Sequence, residues 1–326
     1  MAGHKGQHWI PAAAYLKAWV DPDVPVGQEP FVHVFSRDGS AHRRRAPSNI
    51  FKETDLYTIK ASDGSRDLRL EHGLASLETA FSKTRREYLS ERRKVPLLRY
   101  SKLLAFVAAM HSRTPMIRDH HAAYWKKLQS SMEELDEKMK VATEDKRRRA
   151  AAMSIPPSDP SKTMTLQDVR KVTASPMEHT LLPYLEAELP LLMRMRCAIL
   201  CTNSDPGFVT SDNPVVWFDP EAHKRPPMYR SPAFMYPKLQ ITFPLSPAQL
   251  LLLVHGKPGL EYIEIADRDV QEANRITRGH CFKEFVVKRD FVNSQWLDRG
   301  TMPPDAWELV EGQAISGDSP AEEKEN

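Results

Sequence analysis

Four polar residues of this chain stand where apolar runs meet turns, and their types are those of an acid–base site. His8 lies in QHWIP at 7–11, Arg113 follows the apolar run Leu97–Met110, and Asp212 and Asn213 interrupt FVTSDNPVVWF at 208–218. Histidine titrates near neutrality and serves as general acid or base. In a converged site His8 takes that role, Asp212 orients it, Arg113 clamps an anion and Asn213 donates to an oxyanion. Ser211, Tyr15 and Glu78 are the accompanying binding candidates. An arginine ending an apolar helix needs a partner, because an unpaired buried charge is costly, and Glu78 and Asp212 are the carboxylates to test. The same residues also fit a buried polar network that fixes the fold without chemistry, since a satisfied network specifies structure.

Motifs of the common enzyme classes are missing. Ser211-Asp212-Asn213 invites comparison with serine β-lactamases, but no Ser-x-x-Lys or Lys-Thr-Gly accompanies it. The chain has no Gly-x-Ser-x-Gly elbow, no His-Glu-x-x-His helix, no phosphate-binding P-loop and no dinucleotide glycine motif. Cys197, Cys201, His280 and Cys281 have the wrong spacing for a zinc knuckle, and no metal site is expected. The sequence leaves the cofactor open. What remains is a hydrolase or nuclease using the four polar residues, or an interaction protein in which they form a structural network.

The elements that must position these residues change character along the chain. Tyr15, Leu16 and Trp19 share a face of a short helix over Ala12–Val20, stopped by Asp21-Pro22. Phe31–Phe35 followed by Arg37-Asp38-Gly39-Ser40 predicts a hairpin, with a second extended piece near Tyr57–Ile59. From Leu68 the period is helical, through Leu70, Leu74, Leu77 and Phe81. Leu97–Met110 is apolar around its circumference and predicts a central helix broken at Pro115. Trp125, Leu128, Met132, Leu135 and Met139 form a 3-4 seam. Ile117–Ala150 is therefore expected as one long helix, with a turn at SIPPSDPSK (154–162) and a return from Leu166. Pro176, Pro183 and Pro190 are expected to cut the next stretch into short pieces.

Strand signals dominate from Met195: Met195–Thr202, Phe208–Phe218, Leu239–Phe243, Leu250–Val254 and Phe285–Val287, with Asp267 as a helix N-cap candidate. The fold class is α+β. A helical N-terminal half with a long hairpin arm at 117–172 packs on a mixed sheet from the C-terminal half. One domain spans 1–310, and the acidic tail 311–326 is expected to be disordered.

Charge is unevenly shared. Residues 1–150 carry 28 Lys and Arg against 19 Asp and Glu, leaving 18 against 24 for 151–326. The basic half is a candidate polyanion or nucleic-acid surface, although no aromatic residues alternate with its Arg clusters to stack on bases. Three cysteines, no secretory signal and no long apolar segment suit a cytoplasmic protein without a membrane span.

Several stretches, in order, resemble one family. They are QHWIPAAAYLKAW at 7–19, SNIFKETDLY at 48–57, a Glu-bearing helix at 71–78, FVAAMHSRTP at 106–115, FVTSDNPVV at 208–216 and FPLSPAQLLLL at 243–253. Together they resemble the domain-of-unknown-function family 4238, a bacterial and archaeal group. The resemblance marks His8, Pro11, Tyr15, Arg113, Ser211, Asp212, Asn213, Pro214, Pro244 and Ser246 as signature positions. It implies a shared fold and leaves the activity open.

Overall fold

The computed structural model describes residues 6–54, 56, 59–60, 66–153, 159 and 163–298. The expected extended residue Tyr57, most of the turn at 154–162 and the tail 311–326 lie outside these residues. The architecture is α+β.

The described residues up to Asp67 are strands and turns. β1 (Gly6–His8) pairs with β4 (Lys52–Thr54), and β2 (Val32–Ser36) forms the expected hairpin with β3 (His42–Arg45), turning at Gly39 with φ +73°. β5 (Ile59–Lys60) and β6 (Arg66–Asp67) form a second short pair. Between β1 and β2 the expected helix over Ala12–Val20 is reduced to a 3-10 turn, Leu16–Trp19. Its residues Tyr15, Leu16 and Trp19 are nonetheless fully buried.

The helices follow: α1 (Arg69–Thr84), α2 (Leu97–Ser112), α3 (Pro115–Lys140), α4 (Glu144–Met153), α5 (Leu166–Ala174) and α6 (Pro176–Leu192). α2 is central, with Leu103, Leu104, Phe106, Val107 and Met110 removed from solvent. The single helix expected over 117–150 is in fact two. Arg147 reaches back to the carbonyls of Met139 and Lys140 at 3.0 and 2.8 Å, satisfying carbonyls that a continuing helix would have used. The return at Leu166 is as expected, fixed by a reciprocal capping box between Thr165 and Asp168. The prolines do not fragment α6. Pro176 opens it, where no amide donor is needed, and Pro183 and Pro190 are carried inside a helix that packs on α2.

Strands then return. β7 (Arg196–Cys201), β9 (Val216–Phe218), β10 (Gln240–Ser246), β11 (Gln249–Val254) and β12 (Gly259–Glu264) make a five-stranded sheet ordered β12-β7-β11-β10-β9. Only β12 with β7 is parallel, so the sheet is mixed. β12 is invisible to the periodicity, because both its faces are partly exposed. The β-structure is also not confined to one sheet. β8 (Thr210–Ser211) and β13 (Glu284–Val287) join the N-terminal hairpin in a second sheet ordered β3-β2-β13-β8. α7 (Asp267–Gly279) begins after Ala266, so Asp267 lies in the first turn instead of capping it. α8 (Ser294–Leu297) ends the described chain.

One core joins helices to sheet. Phe81 stacks on Phe106 at 4.2 Å between ring centres, and Tyr15 stacks on Phe243 at 5.1 Å. The two landmark stretches of the second half meet at Gly207. The amide of Phe208 donates to Pro247 O at 2.8 Å, and a Cβ on Gly207 would come within 2.1 Å of that oxygen. Its φ of +76° and this approach both require glycine.

Candidate functional site

The sequence-selected residues are all placed at junctions, but they fall into separate networks. Arg113 is buried and donates from Nη1 to Glu78 Oε1 at 2.9 Å. Its Nη2 meets the weak acceptor Met110 Sδ at 2.9 Å, and its Nε has no hydrogen-bond partner among the described residues. Glu78, offered above as one of two partners, is therefore the one the fold supplies. His8 lies near this pair and feels both charges, while its Nε2 stands 3.2 Å from Ser48 O. Burial is the main influence that lowers the His8 pKa.

Asp212 is not Arg113's partner, contrary to the expected pairing. Its Oδ1 accepts from the amide of Phe282 at 2.8 Å, and its Oδ2 from Lys283 and Glu284 at 2.7 and 3.0 Å. Its own amide donates to Glu284 O at 3.1 Å. The carboxylate thus caps the start of β13, an edge where backbone donors would otherwise be orphaned. Burial pushes its pKa up to about 7, opposed by those amides and by Arg37. Asn213 donates from Nδ2 to His280 O at 3.0 Å, and its amide donates to the buried Ser211 Oγ at 3.1 Å. Tyr15 Oη and Thr210 Oγ1 share a hydrogen bond of 2.7 Å, and burial drives the phenol's pKa far upward. These contacts tie the N-terminal segment and the 280–284 turn to β8.

The open chemistry lies on the other face of the same helix end. Residues two apart on a helix point about 200° apart. His111 therefore turns away from the side on which Arg113 meets Glu78. It lines a cleft of about 240 Å³ with Ser112, Ile117, His121, Tyr184, Glu188 and Trp217 among its walls. His111 Nδ1 is 3.2 Å from Glu188 Oε2, and the ring stacks on Trp217 at 5.0 Å. The one hydrogen bond of the ring among the described residues is at Nδ1, and 21% of the side chain is exposed. Glu188 Oε1 is sealed without a partner among them. His121 stacks on Tyr184 at 4.3 Å, and burial, with the neighbouring histidines, depresses its pKa to about 4. It is neutral at pH 7. Burial also raises the Tyr184 pKa.

Sequence reasoning passed over these residues. His111 lies inside the quoted MHSRTP stretch, yet attention went to the arginine. The available signal was helical spacing: Ile117 and His121 on α3, and Tyr184 and Glu188 on α6, are both i,i+4 pairs that face one way. A larger cleft of about 450 Å³ borders Arg37, Asp38, Arg278, Lys283 and Leu297. There Arg37 Nη2 and Arg278 Nε donate to the carbonyls of Gly279 and Trp296, and no histidine is among its described lining residues.

The cysteines do not converge on a metal. Cys197 and Cys201 are buried in β7, whereas Cys281 packs in a different cluster with Phe285 and Trp296. Much of the basic excess is internally answered. Arg43 pairs with Glu284, Arg92 with Glu264, and Arg148 and Arg149 with Asp145. No helix of the described residues is long and apolar enough to cross a membrane.

Comparison with curated proteins and with solved structures finds no match. The family signal is clear: the chain belongs to the family described as protein of unknown function (DUF4238), whose model matches residues 6–291.

Proposed function

We propose that this family member is a hydrolase of small uncharged acyl substrates, with His111 as general base and Glu188 as the group that orients it. The observation that carries this is the His111–Glu188 contact at the wall of an apolar, aromatic cleft. A carboxylate on Nδ1 fixes that nitrogen as the donor and leaves Nε2 as a lone pair. In the proposed reaction a water attacks the substrate carbonyl and gives its proton to His111 Nε2. The bond from carbonyl carbon to the leaving oxygen breaks, and the proton passes to that oxygen. Glu188 balances the imidazolium formed in between.

Ile117, Leu191, Phe234 and Trp217 supply the apolar walls, and neutral His121 with Tyr184 supplies polar contacts without charge. No Lys or Arg is among the described residues that line the cleft, which favours an uncharged ester over a phosphodiester. This moves the proposal away from a nuclease. Arg113, Asp212, Asn213, Ser211 and Tyr15 are then the frame, since each polar contact they make is within the fold.

The test uses the full chain with p-nitrophenyl acetate and butyrate, and with bis(p-nitrophenyl) phosphate as the phosphodiester arm. His111→Gln should lower ester turnover by about 100-fold or more with the melting temperature unchanged. Glu188→Gln should lower it less. Equal ester rates in wild type and His111→Gln overturn the proposal, as does turnover confined to the phosphodiester.

A further inference from the structure

Two histidines outside the cleft face each other on the N-terminal hairpin. In the β2–β3 pairing His33 lies opposite Arg44 and His42 opposite Phe35, so the histidines are diagonal neighbours on one face of the sheet. His33 Nδ1 and His42 Nε2 stand 3.0 Å apart. Each ring's far nitrogen is beside a carboxylate: His33 Nε2 is 2.6 Å from Asp21 Oδ2, and His42 Nδ1 is 3.3 Å from Asp290 Oδ1. Asp290 follows β13, the strand hydrogen-bonded to β2 on its other side.

Nε2–H of His33 donates to Asp21, which makes its Nδ1 the acceptor of the Nε2–H of His42 across 3.0 Å. Asp290 stands beside His42 without hydrogen-bonding its ring, so its carboxylate is open to a ligand role. A divalent cation that displaced the proton between the rings would take both inner nitrogens as ligands. Two imidazoles on a tetrahedral Zn²⁺, each at about 2.0–2.1 Å, hold their nitrogens about 3.3 Å apart. The pair needs only a few tenths of an ångström to reach that separation. Donor atoms of His33, His42 and Asp290 all lie within 4.8 Å of one another. His33 is fully buried, and Phe35 stacks on His42 at 4.4 Å, which holds the rings in place. The side chains of His42 and Asp290 are 28% and 52% exposed, so an ion can enter and water can complete its shell.

We propose that His33, His42 and Asp290 bind a divalent transition metal of the Zn²⁺ class, with Asp21 as the outer carboxylate that orients His33. Carboxylate–histidine–metal arrangements of this kind raise ligand basicity and fix the tautomer. Imidazole with one carboxylate suits Zn²⁺ over Mg²⁺ or Ca²⁺, which prefer all-oxygen shells. Arg44 opposes the ion, its Nη2 being 3.7 Å from Asp290 Oδ2. The metal would clamp the hairpin to the segment after β13. It is independent of the hydrolase proposal, for it shares no residue with the cleft.

The experiment is calorimetric titration of Zn²⁺ into the tag-free full chain after chelator treatment, with Mg²⁺ as the control ion. One Zn²⁺ per chain should bind, Mg²⁺ should not, and the melting temperature should rise with Zn²⁺. His42→Gln, chosen because His42 is partly exposed and the variant should fold, should abolish that binding step. Asp21→Asn should weaken it by about 10–100-fold. Asp290→Asn should weaken it at least as much. Co²⁺ should give a visible spectrum in wild type that His42→Gln lacks. Equal Zn²⁺ stoichiometry and affinity in wild type and His42→Gln would assign binding to other histidines and sink the proposal. No binding step in wild type would leave the two rings joined by a single shared proton and sink it equally.

Discussion

Replacing Glu78 by Gln tests whether the buried end of α2 is held by one ion pair. Arg113 has 1% of its side chain exposed, and Glu78 has 27%. Among the described residues the guanidinium has, beyond Glu78, only Met110 Sδ within hydrogen-bond reach, and its Nε has no partner. Removing one partner of a buried pair costs about 3–5 kcal/mol. Water reaching the Glu78 side places this case near the lower end, about 3 kcal/mol. For a chain of this size that corresponds to a fall in melting temperature on the order of 4–5 °C. Urea denaturation should show the same loss as a lower midpoint at constant slope. The double change Glu78→Gln with Arg113→Met should recover much of it, because an apolar side chain of similar reach no longer needs a counter-charge. His8→Gln is the control. It keeps a donor toward Ser48 O and should cost about 1 kcal/mol or less. If Glu78→Gln melts within about 1 °C of wild type, Arg113 is not dependent on Glu78 and the argument is wrong.

Two pH effects of opposite sign are expected. The His121 pKa is lowered from 6.5 to about 4, so its contribution is present above 6.5 and lost as pH falls toward 4; His121→Phe should flatten that acid-side loss in thermal melts taken across pH. Asp212 is raised from 3.8 to about 7, so its contribution is present below 3.8 and lost as pH rises through 7. Asp212→Asn should remove that decline, and an unchanged slope in the variant counts against a raised Asp212 pKa. Deleting 134–163 with a short Gly-Ser bridge should leave the cooperative melting transition intact. α4 buries no residue and α3 buries only Pro115, while Val169 and Val172 of α5 remain in place. Loss of the transition would make the arm part of the core.

The sequence carried the fold class because its periods are strong where burial is one-sided or complete. Leu74 and Phe81 on α1, the all-round apolar α2 and the two-sided β7 are such cases. It did not carry the break at Lys140, because no Gly or Pro marks it and Arg147 satisfies the terminal carbonyls from a distance in sequence. It did not carry β12, whose residues bury too little to alternate. The polar signature residues were legible as distinctive but not as partners. Asp212's three amide donors lie about seventy residues away and are backbone groups, so no side-chain type announces them. The His33–His42 contact was within local reach, since strand pairing across the hairpin makes them diagonal neighbours once the turn is placed.

The end of α2 explains why frame and cleft depend on each other. Thr114 leaves the helical region and Pro115 opens α3, with Thr114 Oγ1 accepting the amide of Ile117 at 3.5 Å. The break fixes the last turn of α2, and with it the opposite directions of His111 and Arg113. Arg113 anchors that turn to α1 through Glu78, while His111 meets Glu188 on α6 and Trp217 on β9. Trp217 pairs with Ile241 at the edge of the five-stranded sheet, which ties the cleft wall to β10. A loosened Arg113 should therefore reach the cleft by letting the last turn of α2 fray, which would lengthen the His111–Glu188 contact. Glu78→Gln should then lower His111-dependent ester turnover at temperatures well below its melting transition. Under the same conditions the Asp212→Asn variant, whose contacts are to the start of β13, should not. If both variants retain wild-type turnover while folded, the two faces of the helix end are uncoupled and the frame serves stability alone.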